Sequence, residues 1–178
     1  RKILDKLLDL DPKNPNVFYN YALTYFNLDE YFEAYNLFNN LFCTEISDEL
    51  RCDVKEMMSI SKSNYIARKA YDFIKMEESE IAIPLLKKAL NLYNENNEAY
   101  FYLGIAYQNI YEFNKAVECY EKLLHIDENF EFQLELKFSL GKCYLKLNNI
   151  IKAQENFAFI LMNDDLNKYP QIHFYFGD

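Results

Sequence analysis

The stretch that decides the fold runs from Asn97 to Phe130 and reads NEAYFYLGIAYQNIYEFNKAVECYEKLLHIDENF. Each half carries bulky and small residues at the spacing of one helical face. The first face consists of Tyr100, Leu103, Gly104 and Tyr107, and the second of Ala116, Tyr120, Leu123 and Leu124. Between them, residues 109–112 form a connection of the length that antiparallel helices use. The stretch therefore predicts two packed antiparallel helices.

Two small residues define where these helices should cross. Gly104 and Ala116 would allow the two axes to approach closely, while Tyr107 and Tyr120 fill the space beside the crossing. A large residue at either small position should force the pair apart.

The same pattern occurs four times along the chain. It consists of a small residue, an aromatic residue three positions on, an alanine twelve positions on from the small residue, and a bulky residue four positions after the alanine. The copies are Ala22-Tyr25-Ala34-Phe38, Ala70-Phe73-Ala82-Leu86, Gly104-Tyr107-Ala116-Tyr120 and Gly141-Tyr144-Ala153-Phe157. Successive alanines are 48, 34 and 37 residues apart, which indicates a period of 34 residues with two insertions. A period of this length is typical of stacked helix pairs.

This pattern resembles the tetratricopeptide repeat family, most closely from Tyr100 to Tyr107 and on through Ala116 to Tyr120. Asp11-Pro12 also matches the end of a repeat in that family. The resemblance implies an all-α fold, a right-handed superhelical solenoid of antiparallel helix pairs. It further implies a concave surface lined by the first helix of each repeat.

The resemblance divides the chain into one solenoid with these predicted segments. They are 1–14 (end of a truncated repeat), 15–48 (repeat 1), 49–62 (helical extension), 63–96 (repeat 2), 97–130 (repeat 3), 131–167 (repeat 4 with a three-residue insertion) and 168–178 (start of a truncated repeat). The extension keeps helical spacing, so it either lengthens the first helix of repeat 2, from near Ser47 to about Met76, or forms a short helix of its own. In either case we expect it to project beyond the regular stack.

By resemblance, the concave surface would be a groove for a partner peptide or helix. Its predicted residues are Asn16, Tyr19, Asn20, Leu23 and Asn27; Asn64, Arg68, Tyr71 and Lys75; Glu98, Phe101, Tyr102, Ile105 and Gln108; and Glu135, Phe138, Lys142 and Lys146. Aromatic side chains are effective anchors for such partners. The alternative is that Tyr19, Phe101 and Phe138 only pack between neighbouring repeats.

Some members of the family hold a peptide carboxylate in a clamp of lysines and asparagines. Asn20 and Arg68 match two clamp positions, but Asn64 replaces the expected lysine, so we do not predict a chaperone clamp. Arg68 could pair with a partner's carboxylate, and the alternative is a solvated or intramolecularly paired arginine.

The sequence predicts a protein-interaction scaffold with no catalytic activity, cofactor or metal. It contains no glycine-rich phosphate loop, nucleophile elbow or zinc spacing, and His125 and His173 lie outside metal-binding patterns. Two alternatives stay open: a peptide-sensing module of a larger regulator, and the substrate-docking arm of an enzyme whose catalytic domain lies outside this chain.

Composition restricts the partner and the compartment. A net charge of −9 disfavours nucleic acid, and no apolar run approaches a membrane span. The four cysteines lack C-x-x-C spacing, so we expect reduced, mostly packed thiols and a reducing, cytoplasmic location. The chain starts at Arg1 and stops inside an apolar run, which is typical of a fragment. Its ends would then expose apolar side chains and allow self-association, through Leu4, Leu7, Phe174 and Phe176.

Overall fold

A computed structural model describes residues 14–163, 168–170 and 172. This part of the chain contains eight α-helices and no strand. The helices are α1 (Pro15–Asn27), α2 (Tyr31–Phe42), α3 (Asp48–Lys75), α4 (Ser79–Leu92), α5 (Asn97–Asn109), α6 (Phe113–Ile126), α7 (Gln133–Lys146) and α8 (Ile150–Asn163). The fold is an all-α helical repeat solenoid, as the 34-residue period predicts.

The helices belong to two compact units. Within the described residues, the N-terminal unit comprises 14–69 and 88–96, and the C-terminal unit comprises 70–87 and everything from 97 onward. The long α3 and its successor α4 each contribute residues to both units. In the N-terminal unit these two helices are tied by a buried hydrogen bond, in which the Ser63 hydroxyl donates to the Ala89 carbonyl at 2.8 Å.

In the C-terminal unit, each of two helix pairs has a close contact between a glycine and an aromatic ring. A Cβ placed on Gly104 of α5 would lie only 2.6 Å from Cδ1 of Tyr120 on α6, and one on Gly141 of α7 only 2.7 Å from Cζ of Phe157 on α8. Real Cβ atoms do not occupy such positions. Both rings are fully buried. The sequence prediction for Gly104 and Tyr120 is confirmed, because the ring occupies the volume that a side chain would need.

The long helix α3 is one of the two alternatives that the sequence left open for residues 49–62. The expectation that this segment projects beyond the stack is wrong. Val54 is fully buried in one core cluster with Ala22 and Phe38, and Leu50 and Met57 pack against that cluster. The first half of α3 therefore covers the first helix pair, because its apolar stripe finds a matching face there.

A left-handed residue closes the turn inside every helix pair. The described part of the chain has four non-glycine residues with φ between 57° and 64°, namely Asp29, Glu77, Tyr111 and Asn148. In each turn, the residue that follows the left-handed one donates its N–H to the carbonyl five positions before itself, as Glu112 does to Tyr107 at 2.9 Å. The left-handed residue itself donates three positions back, as Tyr111 does to the Gln108 carbonyl at 3.1 Å. These paired bonds form a Schellman motif, which satisfies the last carbonyls of the first helix.

The cysteines differ from the expectation of mostly packed thiols. Cys119 and Cys143 are buried, whereas Cys43 and Cys52 are exposed. Burial raises the pKa of the Cys119 thiol to about 12 and that of the Cys143 thiol to about 11. The correction arises because Cys43 follows the end of α2 and Cys52 lies on the outward side of α3. All four are unpaired thiols.

One sequence prediction concerns residues that the structure does not describe, and another concerns membrane spans. The apolar side chains proposed for self-association, Leu4, Leu7, Phe174 and Phe176, lie outside the described residues. Among the helices that are described, none combines the length and apolar character needed to cross a bilayer.

We predict that Gly104→Leu destabilises the protein by about 2 kcal/mol or more. Because a Cβ on Gly104 already overlaps the buried Tyr120 ring, overpacking by leucine should cost about 3 kcal/mol or more, and the better helix propensity of leucine recovers only about 1 kcal/mol. Urea denaturation measures the effect. Glu118→Leu, at an exposed position of α6, is the matched control and should shift stability by less than about 0.5 kcal/mol. An unchanged denaturation midpoint for Gly104→Leu would show that α5 and α6 do not cross closely at Gly104.

We predict that Glu77→Gly stabilises the protein by about 0.5–1 kcal/mol. A left-handed conformation costs an L-residue about 1–2 kcal/mol, which exceeds the extra backbone entropy that glycine loses on folding. Glu77 has φ 64°, whereas its exposed neighbour Glu78 does not have a positive φ. Glu78→Gly should therefore destabilise the protein. The two substitutions have opposite signs in thermal denaturation, and equal effects would contradict the assigned turn.

Candidate functional site

Two tyrosines in the C-terminal unit form a stacked pair at the protein surface. Tyr71 near the end of α3 and Tyr102 of α5 stack with ring centroids 4.5 Å apart and planes 15° from parallel. Tyr71 exposes 36% of its surface, and Lys75 Nζ lies 5.0 Å from its ring centroid. The pair presents a broad aromatic surface with a cation beside it. Such a surface suits contact with an apolar or aromatic side chain of a partner.

Phe101 and Phe138 are half-buried and mainly contact other rings of the C-terminal unit. Phe101 lies within 6.4 Å, between centroids, of four rings, those of Tyr102, Tyr120, Phe130 and Phe132. Phe138 lies 4.9 Å from Tyr169 and 6.2 Å from Phe157. Both phenylalanines thus fit the alternative reading in which they pack between helices. Their outer edges remain partly exposed.

The remaining predicted residues of this unit are also at least partly exposed. Ile105 lies one turn after Tyr102 on α5, and Glu98 and Glu135 lie in the first turns of α5 and α7. Lys142 is exposed on α7, with Nζ 5.4 Å from the Phe138 centroid. We define the aromatic face as Tyr71, Phe101, Tyr102, Ile105, Phe138 and Lys142. All six belong to the C-terminal unit.

In the N-terminal unit, the predicted groove residues are mostly engaged in the fold. Tyr19 and Leu23 pack against the core cluster, and the Tyr19 ring lies 5.6 Å from that of Phe38. Asn16 and Asn20 are exposed, and the Asn20 amide donates to the Asn16 carbonyl at 2.9 Å. The Asn64 side-chain oxygen accepts a hydrogen bond from Asn96 at 2.8 Å.

Arg68 is paired within the chain rather than presented alone. Its guanidinium lies 3.3 Å from an Asp29 carboxylate oxygen and 4.6 Å from the Tyr31 ring centroid. The hydrogen bond from Tyr31, together with the charge of Arg68, lowers the pKa of Asp29 from its ordinary value, against the raising effect of burial. The intramolecular alternative for Arg68 therefore describes the structure. Binding a partner's carboxylate there would require exchanging an existing ion pair.

Sequence reasoning missed a pocket of about 370 Å³ in the C-terminal unit. It lies where α5 and α7 end, beside the turn that leads into α6. We call this the lysine pocket, and its lining residues are Gln108, Tyr111, Phe113, Lys142, Leu145 and Lys146. Gln108, Lys142 and Lys146 were predicted on the concave surface, but the turn residues were not. The 34-residue period could have indicated it, because the period places the turn of one repeat next to the end of the first helix.

No cluster of three or more His, Cys, Asp or Glu side chains able to hold a metal occurs in the part of the chain that the structure describes.

Comparisons with known protein families agree with the resemblance noted in the sequence. Two family models, both described as tetratricopeptide repeat, match the chain, one over residues 3–36 and the other over residues 97–130. No curated protein matches the chain.

Solved structures share the fold. MamA from Desulfovibrio magneticus RS-1 superposes with a TM-score of 0.51 at 20% identity, covering 94% of this chain and 85% of that one. A MamA mutant has a TM-score of 0.53 at 15% identity, covering 87% of this chain and 94% of that one. Members of the family are generally protein-interaction scaffolds. With the two matched segments, the helix pairs and their 34-residue period, the chain contains tetratricopeptide repeats and is similar to the proteins of that family.

Proposed function

We propose that this protein is a non-catalytic scaffold that binds a peptide or helix of a partner protein along the aromatic face. The stacked Tyr71–Tyr102 pair carries the proposal, because it is a large, rigid aromatic surface at the exterior. Aromatic residues of this kind dominate the energetics of protein interfaces at low entropic cost. Partly exposed Ile105 and the Lys142 ammonium extend the same face.

The residues of the predicted groove are not equally available to a partner, because several of them already have contacts within the fold. Arg68, Tyr19 and Leu23 already have partners inside the fold, so we place the binding energy on the C-terminal unit. Phe101 and Phe138 would contribute only their exposed edges. We propose repeat boundaries of 15–48, 63–96, 97–130 and 131–167, with residues 49–62 lengthening the first helix of the second repeat.

Two broader roles use the same binding face. In a sensory module of a larger regulator or a docking arm of an enzyme, the face would bind a peptide and an attached domain would act on the result. We also propose a cytoplasmic location, since two exposed unpaired thiols, Cys43 and Cys52, suit a reducing compartment.

We predict that the double variant Tyr71→Ala, Tyr102→Ala loses a partner that the wild type captures from lysate of its source. Removing both rings deletes the stacked surface and costs at least about 2 kcal/mol of binding energy if it is a hot spot. Captured proteins are identified by mass spectrometry, and circular dichroism verifies that the variant is folded.

The matched control is Glu118→Ala, Lys122→Ala on exposed positions of α6, which should retain the partner. If the folded tyrosine variant keeps the same partner at the same yield, the aromatic face is not the binding site. Loss of the partner by the control would equally contradict the proposal.

A further inference from the structure

The lysine pocket combines apolar walls with two cations. Tyr111, Phe113 and Leu145 supply the walls, and Lys142 and Lys146 are both exposed on the last two turns of α7. No acidic side chain lines the pocket among the described residues. Glu112, the acidic residue adjacent to Tyr111, is paired at 3.3 Å with Lys115. A cationic pocket is unexpected on a chain with a net charge of −9.

Gln108 adds an oriented hydrogen-bond donor to this pocket. Its side-chain oxygen accepts from the Tyr120 hydroxyl at 3.3 Å and from the Cys143 thiol at 3.5 Å. Both donors belong to buried residues, so the amide oxygen is held toward the interior. The amide nitrogen is the donor of the same side chain. Together with the lysine ammonium groups and the Tyr111 hydroxyl, it makes the pocket rich in donors.

The local potential is positive despite the helix ends nearby. The C-termini of α5 and α7 each carry about half an elementary negative charge, and Schellman bonds already satisfy their last carbonyls. Two ammonium groups outweigh these two half charges by about one elementary charge. An acceptor-rich anion is therefore the complementary ligand. A carboxylate beside an apolar side chain matches both the cations and the walls.

We propose that the lysine pocket binds an acidic segment of a partner protein, in which an Asp or Glu carboxylate meets Lys142, Lys146 and Gln108 while a neighbouring apolar side chain packs on Tyr111 and Leu145. The inference rests on the proposed scaffold function and names the chemistry of its partner. Charge complementarity in this pocket supplies specificity and faster association, whereas the Tyr71–Tyr102 surface supplies apolar contact area.

The test is a selection of random twelve-residue peptides displayed on phage against the whole chain. Enriched peptides are then synthesised with a fluorophore, and their affinity is measured by fluorescence polarisation. We expect enriched peptides to carry Asp or Glu next to an aliphatic or aromatic residue. Lys142→Glu, Lys146→Glu should weaken their binding by about tenfold or more, and the milder Lys142→Gln, Lys146→Gln by less. Raising the salt concentration should also weaken wild-type binding.

The control variant is Lys88→Glu, Lys122→Glu, which makes the same change in net charge at exposed positions of α4 and α6. It should leave affinity within about twofold. Enriched peptides that lack acidic residues, or that bind the Lys142, Lys146 variants as tightly as the wild type, overturn the acidic-segment inference. If those peptides still lose binding to Tyr71→Ala, Tyr102→Ala, the scaffold proposal stands. If no peptide is enriched at all, both proposals fail.

Discussion

The structure depends on one steric constraint in its helix pairs. A large aromatic ring of the second helix packs directly against a glycine of the first helix, where no side chain is in the way. Tyr120 and Phe157 occupy the volume where a Cβ of Gly104 or Gly141 would lie. Because the ring and the glycine are 16 residues apart in both pairs, the contact fixes the crossing point and the register of the two helices. Close-packed interiors tolerate little displacement at such a point. The outer faces of the first helices, including Tyr102 and Lys142, are positioned as a consequence.

In the turns, the packing of the helix pairs overrides the backbone preferences of the local residues. Asp29 and Asn148 tolerate the left-handed conformation comparatively well, but Glu77 and Tyr111 do not favour it. That these residues nevertheless adopt it indicates that packing of the helix pair outweighs about 1–2 kcal/mol of local strain. The strained turn at Tyr111 also places an exposed aromatic ring in the lining of the lysine pocket.

Sequence periodicity predicted the helix pairs and the Gly104–Tyr120 contact because both follow from residue spacing and size. It did not predict that Val54 is buried. The apolar stripe of α3 shows that this helix packs on something, but the sequence does not show that its partner is the first helix pair. Intramolecular pairing of Arg68 was one of the alternatives left open by the sequence, but its partner Asp29 could not be predicted, because the two residues are far apart in sequence. The Tyr71–Tyr102 stack was only partly predictable. Spacing placed both tyrosines on first helices, but their mutual contact depends on how two neighbouring helices pack.

Site-specific photocrosslinking tests whether a partner protein contacts the aromatic face. The photoreactive amino acid p-benzoylphenylalanine is introduced in place of Tyr102 in one variant and of Glu118 in another, and each is irradiated in lysate of its source. If a partner binds the aromatic face, we expect a covalent adduct of defined mass from position 102 and none from position 118, since Glu118 is exposed on a second helix. An adduct from position 118 with none from position 102 would contradict it.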